Sequence, residues 1–255
     1  MGCHCKSAEH SYLAPVKISV IVPAFNEEKL LGASLGEIQA ASRSFATRGW
    51  DCELVVCDNN STDRTAEIAR AAGAQVIFEP VNQIARARNT GASAASGDWL
   101  VFVDADTHPS PELFAEVAEQ IAAGRYLAGG ATIQLDEKHF VAGLVTQLWN
   151  FTSRIQKLLA GSFIFVEAKA FRELGGFSLE LFAAEELELS QRLKVLAKRS
   201  HRKIIVLHRH PIRTSARKMR LYTLRDHLKL LTRIAINRRT LTKREECILW
   251  YDGRR

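Results

Sequence analysis

The chain has 255 residues, of which 47% are hydrophobic and 25% are charged, and this is the composition of an ordinary globular protein with one large domain or one domain and an appendage. No apolar run approaches the roughly 18 residues of a membrane-spanning helix, and the first residues lack the apolar core of a signal peptide. Five scattered cysteines without zinc-ligand spacing favour reduced thiols, so we expect a cytoplasmic protein.

Positive charge is concentrated near the C-terminus. Residues 198–255 contain 18 Lys and Arg and 4 Asp and Glu, a net charge of +14, whereas residues 1–197 carry a net charge of −7. A basic end on an acidic body is typical of proteins with an anionic partner, which can be a phosphate, a membrane surface or a nucleic acid. For any single basic residue, a solvated helical face is an equally good explanation.

The first half of the chain alternates short apolar runs with helical patterns. After a flexible leader over residues 1–16, the pattern predicts strands over 17–23, 53–58, 75–78 and 100–103, and helices over about 27–48, 63–72 and 84–95. Asn26 is the predicted N-cap of the first helix. Such alternation predicts an α/β fold with a mostly parallel, Rossmann-like sheet flanked by helices.

Two carboxylates directly follow the apolar run over residues 100–103. In an extended chain, side chains at positions i and i+2 point the same way, so Asp104 and Asp106 would converge at the carboxyl end of a buried strand. Open α/β sheets bind ligands at that end. Mg²⁺ or Mn²⁺ would offset the repulsion between the two carboxylates and bridge them to substrate phosphates. A solvated Asp-x-Asp turn is the plainer alternative.

Two further strand ends place polar residues at the same rim, in the segments 23–27 and 58–61. Asp58 could accept hydrogen bonds from a base or a ribose hydroxyl, although capping of the next helix also explains this polar loop. Because three carboxylate-bearing strand ends share one rim, we favour a nucleotide-binding cleft.

The second half predicts a helix over about 111–123, a strand over 127–135, a long helix over 138–159, a strand over 161–166 and a last strand over 203–207. Gly129 and Gly130 would let a sugar or another backbone approach closely. For the long helix, core packing is favoured over an acceptor-side or membrane-side position; its apolar positions are Phe140, Leu144, Leu148, Trp149, Phe151 and Leu158. Residues 219–236 predict an amphipathic basic helix that lies on an anionic membrane or packs against the domain.

A second chemical centre is the acidic helix start at Glu185 and Glu186. It follows two glycines that interrupt regular secondary structure, Gly175 and Gly176. A carboxylate there can accept the proton of an attacking hydroxyl group. Acidic residues are also common at helix starts because they interact favourably with the helix dipole.

Four segments, in order and spacing, resemble family 2 glycosyltransferases of the GT-A fold, over about residues 17–215: residues 18–28, 58–63, 87–91 and 102–106. The resemblance implies an inverting enzyme that transfers a sugar from a UDP- or GDP-linked donor to a hydroxyl acceptor, with Mn²⁺ or Mg²⁺. The acceptor is unknown, and a lipid- or polysaccharide-linked group is one option. The resemblance covers a catalytic domain over 17–215 and leaves 216–255 as a basic helical extension. The charge and leucine spacing of this extension predict peripheral contact with the inner face of a membrane.

The same resemblance implies roles for individual residues. Those that would hold the donor nucleoside are Pro23, Ala24, Glu27 and Asp58, with Arg88 and Asp104 near the base and ribose. Asp106 would be the principal metal ligand, beside Asp104, with either His208 or His210 completing the shell. Glu186 would be the catalytic base, although Asp is usual at this position, and Glu185 is the fallback. A basic pair would clamp the donor diphosphate, namely Arg217 and Lys218.

Three other functions compete with this interpretation. A sugar-phosphate nucleotidyltransferase should have a glycine-rich basic segment after the first strand, where this chain has residues 24–28 without a glycine. A nucleic-acid-binding protein would explain the basic C-terminus but would leave the carboxylates at the rim without a role, so nucleic acid is disfavoured. A non-catalytic sugar-nucleotide binder stays open because Glu186 replaces the usual Asp.

Overall fold

The computed structural model describes residues 16–136, 140–215 and 238–247. In this part of the chain eight strands form one sheet: β1 Lys17–Ala24, β2 Asp51–Asp58, β3 Gln75–Phe78, β4 Trp99–Val103, β5 Thr107–His108, β6 Tyr126–Leu135, β7 Phe163–Glu167 and β8 Lys203–Thr214. The helices are α1 Leu31–Ala46, α2 Thr65–Ala71, α3 Ile84–Ala94, α4 Pro111–Ala122, α5 Phe140–Gln156, α6 Ala168–Glu173 and α7 Glu185–Arg199.

The strand order is β3-β2-β1-β4-β7-β6-β8-β5. The first four strands in this order pair in parallel, as do β6 and β8, whereas β7 runs antiparallel to both β4 and β6. The predicted α/β fold with a mostly parallel sheet flanked by helices is confirmed. Because β1, β2 and β4 are parallel, their carboxyl ends meet at one rim, where Ala24 lies opposite Asp58.

Strand alternation places a hydrophobic core on each face of the sheet. In β1, Val20 and Val22 pack in the cluster that includes residues of α1 and α4, whereas Ile21 packs in the cluster on the other face. The second cluster includes residues of α6 and α7 together with Phe102. Every residue of β4 is buried, as expected for a central strand covered on both faces.

The predicted start of the first helix is wrong, because α1 begins at Leu31. Asn26 has a positive φ of 52° and is not its N-cap. Instead, the side-chain oxygen of Asn26 accepts a hydrogen bond from the backbone N–H of Thr62, at 2.8 Å. Asparagine tolerates the left-handed conformation, so this residue ties together the loops that follow β1 and β2.

The last strand is longer than predicted, since β8 continues past residue 207 to Thr214. A register irregularity between Ala131 and Ile133 lets β8 resume its pairing beyond Pro211. This irregularity absorbs a proline that would otherwise remove a hydrogen bond from the sheet.

Packing within the sheet accounts for a glycine of β6, and one expectation about α5 is corrected. A Cβ atom at Gly129 would collide with the ring of Phe165, so packing against the neighbouring strand explains this glycine and no sugar is needed. Along α5, apolar residues predicted to pack in the core are exposed, among them Leu144, Leu148 and Phe151. Helical spacing of apolar residues reveals that one face is apolar, but not what covers that face.

Residues 238–247 form two short 3₁₀ helices, Arg238–Thr242 and Arg244–Glu246. The carbonyl of Leu241 accepts a hydrogen bond from the N–H of Phe182 at 2.8 Å, so this segment contacts the α/β body. The predicted leader over residues 1–15 and the predicted helix over 219–236 lie outside the described residues. Within the described ranges, no helix is both long and apolar enough to cross a membrane.

Candidate active site

A cavity of about 430 Å³ lies beyond the carboxyl end of β4, between α3, α5 and the start of α7. It brings together five of the residues that the sequence singled out: Arg88, Asp104, Asp106, Glu185 and Glu186. These residues come from three distant parts of the chain. The described part of the chain therefore contributes one cation and four carboxyl groups to this cavity.

Asp104 and Asp106 line the same cavity, as predicted, but not for the predicted reason. The strand ends at Val103, and the backbone N–H of Thr107 donates a hydrogen bond to the carbonyl of Asp104 at 3.1 Å. The two aspartates therefore lie in a turn rather than in extended chain. Carboxylate oxygens are the ligands that Mg²⁺ and Mn²⁺ prefer, so this pair fits such an ion.

Arg88 is the buried centre of the site. It projects from α3, and its guanidinium group donates hydrogen bonds to Glu185 at 2.7 Å and to Asp104 at 2.9 Å. A third hydrogen bond reaches the carbonyl of Gly161 at 2.9 Å, and the guanidinium lies 5.2 Å from the ring centre of Phe177. Burial alone would lower the pKa of Arg88, but the two carboxylates hold it above its usual range. Arg88 therefore stays charged and locks two elements of the site together.

Glu185 and Glu186 are adjacent but differ in environment. Glu185 is buried and paired with Arg88, whereas no salt bridge in the described part of the chain involves Glu186. Burial in the cavity, followed by repulsion from Glu185, raises the pKa of Glu186 to about 8, against the lowering effect of Arg88. A carboxyl group with a pKa near neutrality can exchange protons with a substrate.

The residues predicted to hold the nucleoside lie at the neighbouring strand ends. Ala24 is the last residue of β1, Asp58 is the last residue of β2, and the two are paired in register. Pro23 precedes Ala24 on β1. Asp58 accepts a hydrogen bond from the backbone N–H of Ser61 at 3.0 Å, and the N–H of the buried Glu27 donates to Thr65 at 2.8 Å. None of the four predicted nucleoside-binding residues lines the cavity around Arg88. Their predicted role stays a prediction.

His208 and His210, the alternatives for completing a metal shell, do not line this cavity. The strand β8 runs past both, and it is Thr214 and Ser215, at its end, that border the cavity. His208 lines a second cavity. Among the described residues, no group of three or more His, Cys, Asp or Glu side chains could hold a metal ion. Arg217 and Lys218 lie outside those residues.

Several residues that line the cavity were not predicted as part of the site. The hydroxyl oxygen of Ser162 is buried and has no hydrogen-bond partner in the described structure, which marks a place for a polar ligand. The preceding Gly161 has no room for a side chain, since a Cβ atom would lie 2.9 Å from the guanidinium of Arg88. A glycine and a serine before an apolar strand were the only signal in the sequence. Trp149 was noted only as an apolar helix position.

A mostly parallel sheet with an acidic cavity at its carboxyl rim is the arrangement of GT-A glycosyltransferases. The chain belongs to glycosyl transferase family 2, whose family model matches residues 19–172. The predicted family, fold class and enzyme class are therefore confirmed.

Individual relatives agree with this assignment. Dolichol-phosphate mannosyltransferase of Pyrococcus furiosus is 30% identical over 191 residues, covering 69% of this chain and 49% of the relative. The chain thus spans about half the length of this curated relative.

Two solved structures share the fold. The mannosyltransferase PcManGT of Pyrobaculum calidifontis, in complex with GDP-Man and Mn²⁺, has a TM-score of 0.64 at 18% identity, covering 94% of this chain and 71% of that one. Glucosyl-3-phosphoglycerate synthase of Mycobacterium tuberculosis, in complex with Mn²⁺, UDP and glucosyl-3-phosphoglycerate, has a TM-score of 0.60 at 22% identity, covering 87% and 77%.

Proposed function

We propose that this glycosyltransferase moves a sugar from a UDP- or GDP-linked donor to a hydroxyl acceptor, with inversion at the anomeric carbon. The observation that carries the proposal is the convergence of two aspartates, a buried arginine and a carboxyl group of raised pKa on one cavity. Solved proteins of the same fold are bound to Mn²⁺ with UDP or GDP-Man, which supports a donor of this class.

The donor diphosphate would face Asp104 and Asp106. Asp106, the principal ligand, and Asp104 would hold Mn²⁺ or Mg²⁺, which neutralises the charge that develops on the departing nucleotide. Asp104 keeps its hydrogen bond to Arg88, so its carboxylate is already oriented. The unpartnered hydroxyl of Ser162 offers a hydrogen bond to a polar group of the donor.

Glu186 is the catalytic base of the proposal. It accepts the proton of the acceptor hydroxyl while the oxygen attacks the anomeric carbon from the face opposite the nucleotide. Glu185 is the weaker candidate because its carboxylate already binds Arg88 at 2.7 Å. Arg88 limits the rise in the pKa of Glu186, which keeps the carboxyl group able to ionise near neutral pH.

The proposal also includes the acceptor of the sugar and the location of the protein in the cell. The name of the Pyrococcus furiosus relative, dolichol-phosphate mannosyltransferase, contains a lipid, which supports a lipid-linked acceptor here. We keep a cytoplasmic location with peripheral membrane contact as part of the proposal. The suggested contribution of Arg217 and Lys218 to diphosphate binding remains a prediction outside the described residues.

Calorimetry with UDP and GDP, with and without Mn²⁺, tests the donor site. We expect Mn²⁺ to strengthen nucleotide binding to the wild-type protein and to have no such effect on Asp106→Ala, because that change removes the principal ligand. Asp51→Ala is the matched control, since Asp51 is exposed at the opposite end of the sheet.

Two results would contradict the proposal. If wild type and Asp106→Ala bind the nucleotide equally well and without dependence on metal, then Asp106 does not hold a metal ion that contributes to nucleotide binding. Tight nucleotide binding without transfer to any hydroxyl acceptor would favour the non-catalytic sugar-nucleotide binder.

A further inference from the structure

The helix α5 exposes an apolar stripe along its length. Five side chains form the stripe, with exposed fractions between 51% and 66%: Leu144, Val145, Leu148, Phe151 and Ile155. Four of them are spaced i, i+4, i+7 and i+11, which aligns them on one side of the helix. The described structure has nine exposed large hydrophobic residues, and more than half of them lie on this helix.

Positive charge borders the C-terminal end of the stripe. Beside it is the second cavity, of about 460 Å³, whose lining includes three cationic side chains: Arg154, Lys157 and Lys203. Phe151 and Ile155 belong both to the stripe and to the wall of this cavity. Among the described residues no Asp or Glu lines the cavity, and none occurs in the sequence between residues 140 and 166. The surface is therefore apolar and cationic together.

The N-terminal end of the stripe reaches the active-site cavity. Val145 is half exposed and lines that cavity, together with Thr146 and Trp149 of the same helix. A surface that docks against the stripe would therefore lie beside the mouth of the cavity that contains Glu186.

We propose that α5 docks on an anionic membrane, with the apolar stripe inserted among the lipid chains and the cationic cavity bound to lipid headgroup phosphates. An exposed helical stripe with flanking cations binds at the boundary between headgroups and acyl chains, and its binding depends on anionic lipid. The proposal does not rest on the transfer reaction, since membrane docking needs neither donor nor metal ion.

Charge and size favour a bilayer over a protein as the occupant. A stable protein interface buries roughly 800 Å² on each partner, which is more than five side chains of one helix supply. A second copy of this chain would present the same surface, and residues 140–166 contain no Asp or Glu that could pair with the cations. The basic residues between 216 and 237 would likewise face Arg154 and Lys157 with charge of the same sign.

Vesicle flotation of the full chain tests the proposal, with vesicles of phosphatidylcholine alone and of phosphatidylcholine mixed with phosphatidylglycerol. We expect binding to the anionic vesicles and weaker binding as salt increases, because screening shortens the reach of the cations. Leu148→Ser and Phe151→Ser should each reduce the partition coefficient by about tenfold or more, since each removes a large apolar side chain from the lipid. Arg154→Gln should reduce binding to anionic vesicles only.

Phe78→Ser is the matched control, because Phe78 is also an exposed phenylalanine, at 57%, but lies on β3 at the far edge of the sheet. It should bind vesicles as the wild type does, and the stripe variants should retain nucleotide binding, which shows that they are folded.

Four results would overturn the proposal. The wild type could fail to float, or Phe78→Ser could lose as much binding as Phe151→Ser. The stripe variants could turn a dimer into a monomer in sedimentation experiments without any vesicle binding, which would assign the stripe to a second copy. Loss of flotation only when the basic residues between 216 and 237 are replaced would assign docking to that segment.

Discussion

The two ends of the sheet each contain a glutamate whose pKa is far from its usual value, and the shifts have opposite signs. At the amino end, burial alone would raise the pKa of Glu53, but hydrogen bonds from Lys17, Ser19 and Ser96 lower it to about 2. These bonds include a 2.8 Å salt bridge to Lys17. At the carboxyl end, burial and repulsion from Glu185 raise the pKa of Glu186 to about 8.

The difference lies in the partners rather than in the residue type. Donors surround Glu53, so its charge stabilises the fold. Glu186 shares its surroundings with Glu185 and Asp104, and Arg88, the one cation among the described residues of the cavity, is already bound by those two carboxylates. A carboxyl group left in that position is available for proton transfer. The same rule separates Glu185 from Glu186, although they are consecutive in the chain.

Replacement of Glu186 should have the largest effect of all. Glu186→Gln keeps the size of the side chain but cannot accept a proton, so we expect transfer to slow by roughly 10²–10⁴-fold while donor binding stays near normal. Glu185→Gln should slow the chemistry less. Single-turnover transfer and nucleotide calorimetry on both variants check this expectation. If Glu186→Gln transfers at the wild-type rate and Glu185→Gln is inactive, the two roles are exchanged.

Arg88→Met should have the next largest effect, on stability. The change leaves the buried carboxylate of Glu185 and the partly exposed carboxylate of Asp104 without their cation, and breaking a buried ion pair such as Arg88–Glu185 costs about 3–5 kcal/mol. Denaturant unfolding measures the loss. Arg86→Met is the control, because Arg86 is half-buried two residues earlier and has no salt bridge among the described residues. Equal losses in the two variants would show that the cavity does not depend on Arg88.

The sequence predicted the nucleotide half of the fold better than the rest. Strands β1 to β4 follow from apolar runs that alternate with helical patterns, and these signals are local. The pairing of β7 with β4 joins residues 60 to 68 positions apart, and no local pattern encodes such a pairing. The pair Arg88–Glu185 spans 97 residues, so the sequence could identify both residues but not their contact.

The other differences between prediction and structure have physical causes of the same kind. The spacing of Leu144, Leu148 and Phe151 predicts an apolar face equally well whether protein or solvent covers it. His208 and His210 follow an apolar run that suggests a strand end, but a register irregularity carries the strand on to Thr214. Asp104 and Asp106 were brought together correctly, by a turn that the extended-chain reasoning did not include.

The smallest expected effect is on the pH dependence of stability, and its sign should differ between the two ends. The folded-state pKa of Glu53 is depressed, so its contribution is present above the unfolded-state pKa of about 4.5 and is lost as the pH falls toward about 2. Glu53→Gln should therefore destabilise the protein by about 2 kcal/mol at neutral pH. This deficit should shrink as the pH falls below 4.5.

For Glu186 the sign is reversed, because its folded-state pKa is raised to about 8. Between about pH 4.5 and 8 the folded state holds a proton that the unfolded state has lost, so wild-type stability falls with rising pH through this group. Glu186→Gln removes that dependence, and the variant should gain stability relative to wild type as the pH rises from 5 to 8. We expect a gain of about 1 kcal/mol, since the carboxyl group is half-buried and solvent screens part of its charge. Thermal unfolding of wild type and both variants from about pH 3 to about pH 8 measures the two trends together. If Glu186→Gln instead lost stability relative to wild type at pH 8, Glu186 would be ionised and paired in the folded protein, and the contrast between the two ends of the sheet would be wrong.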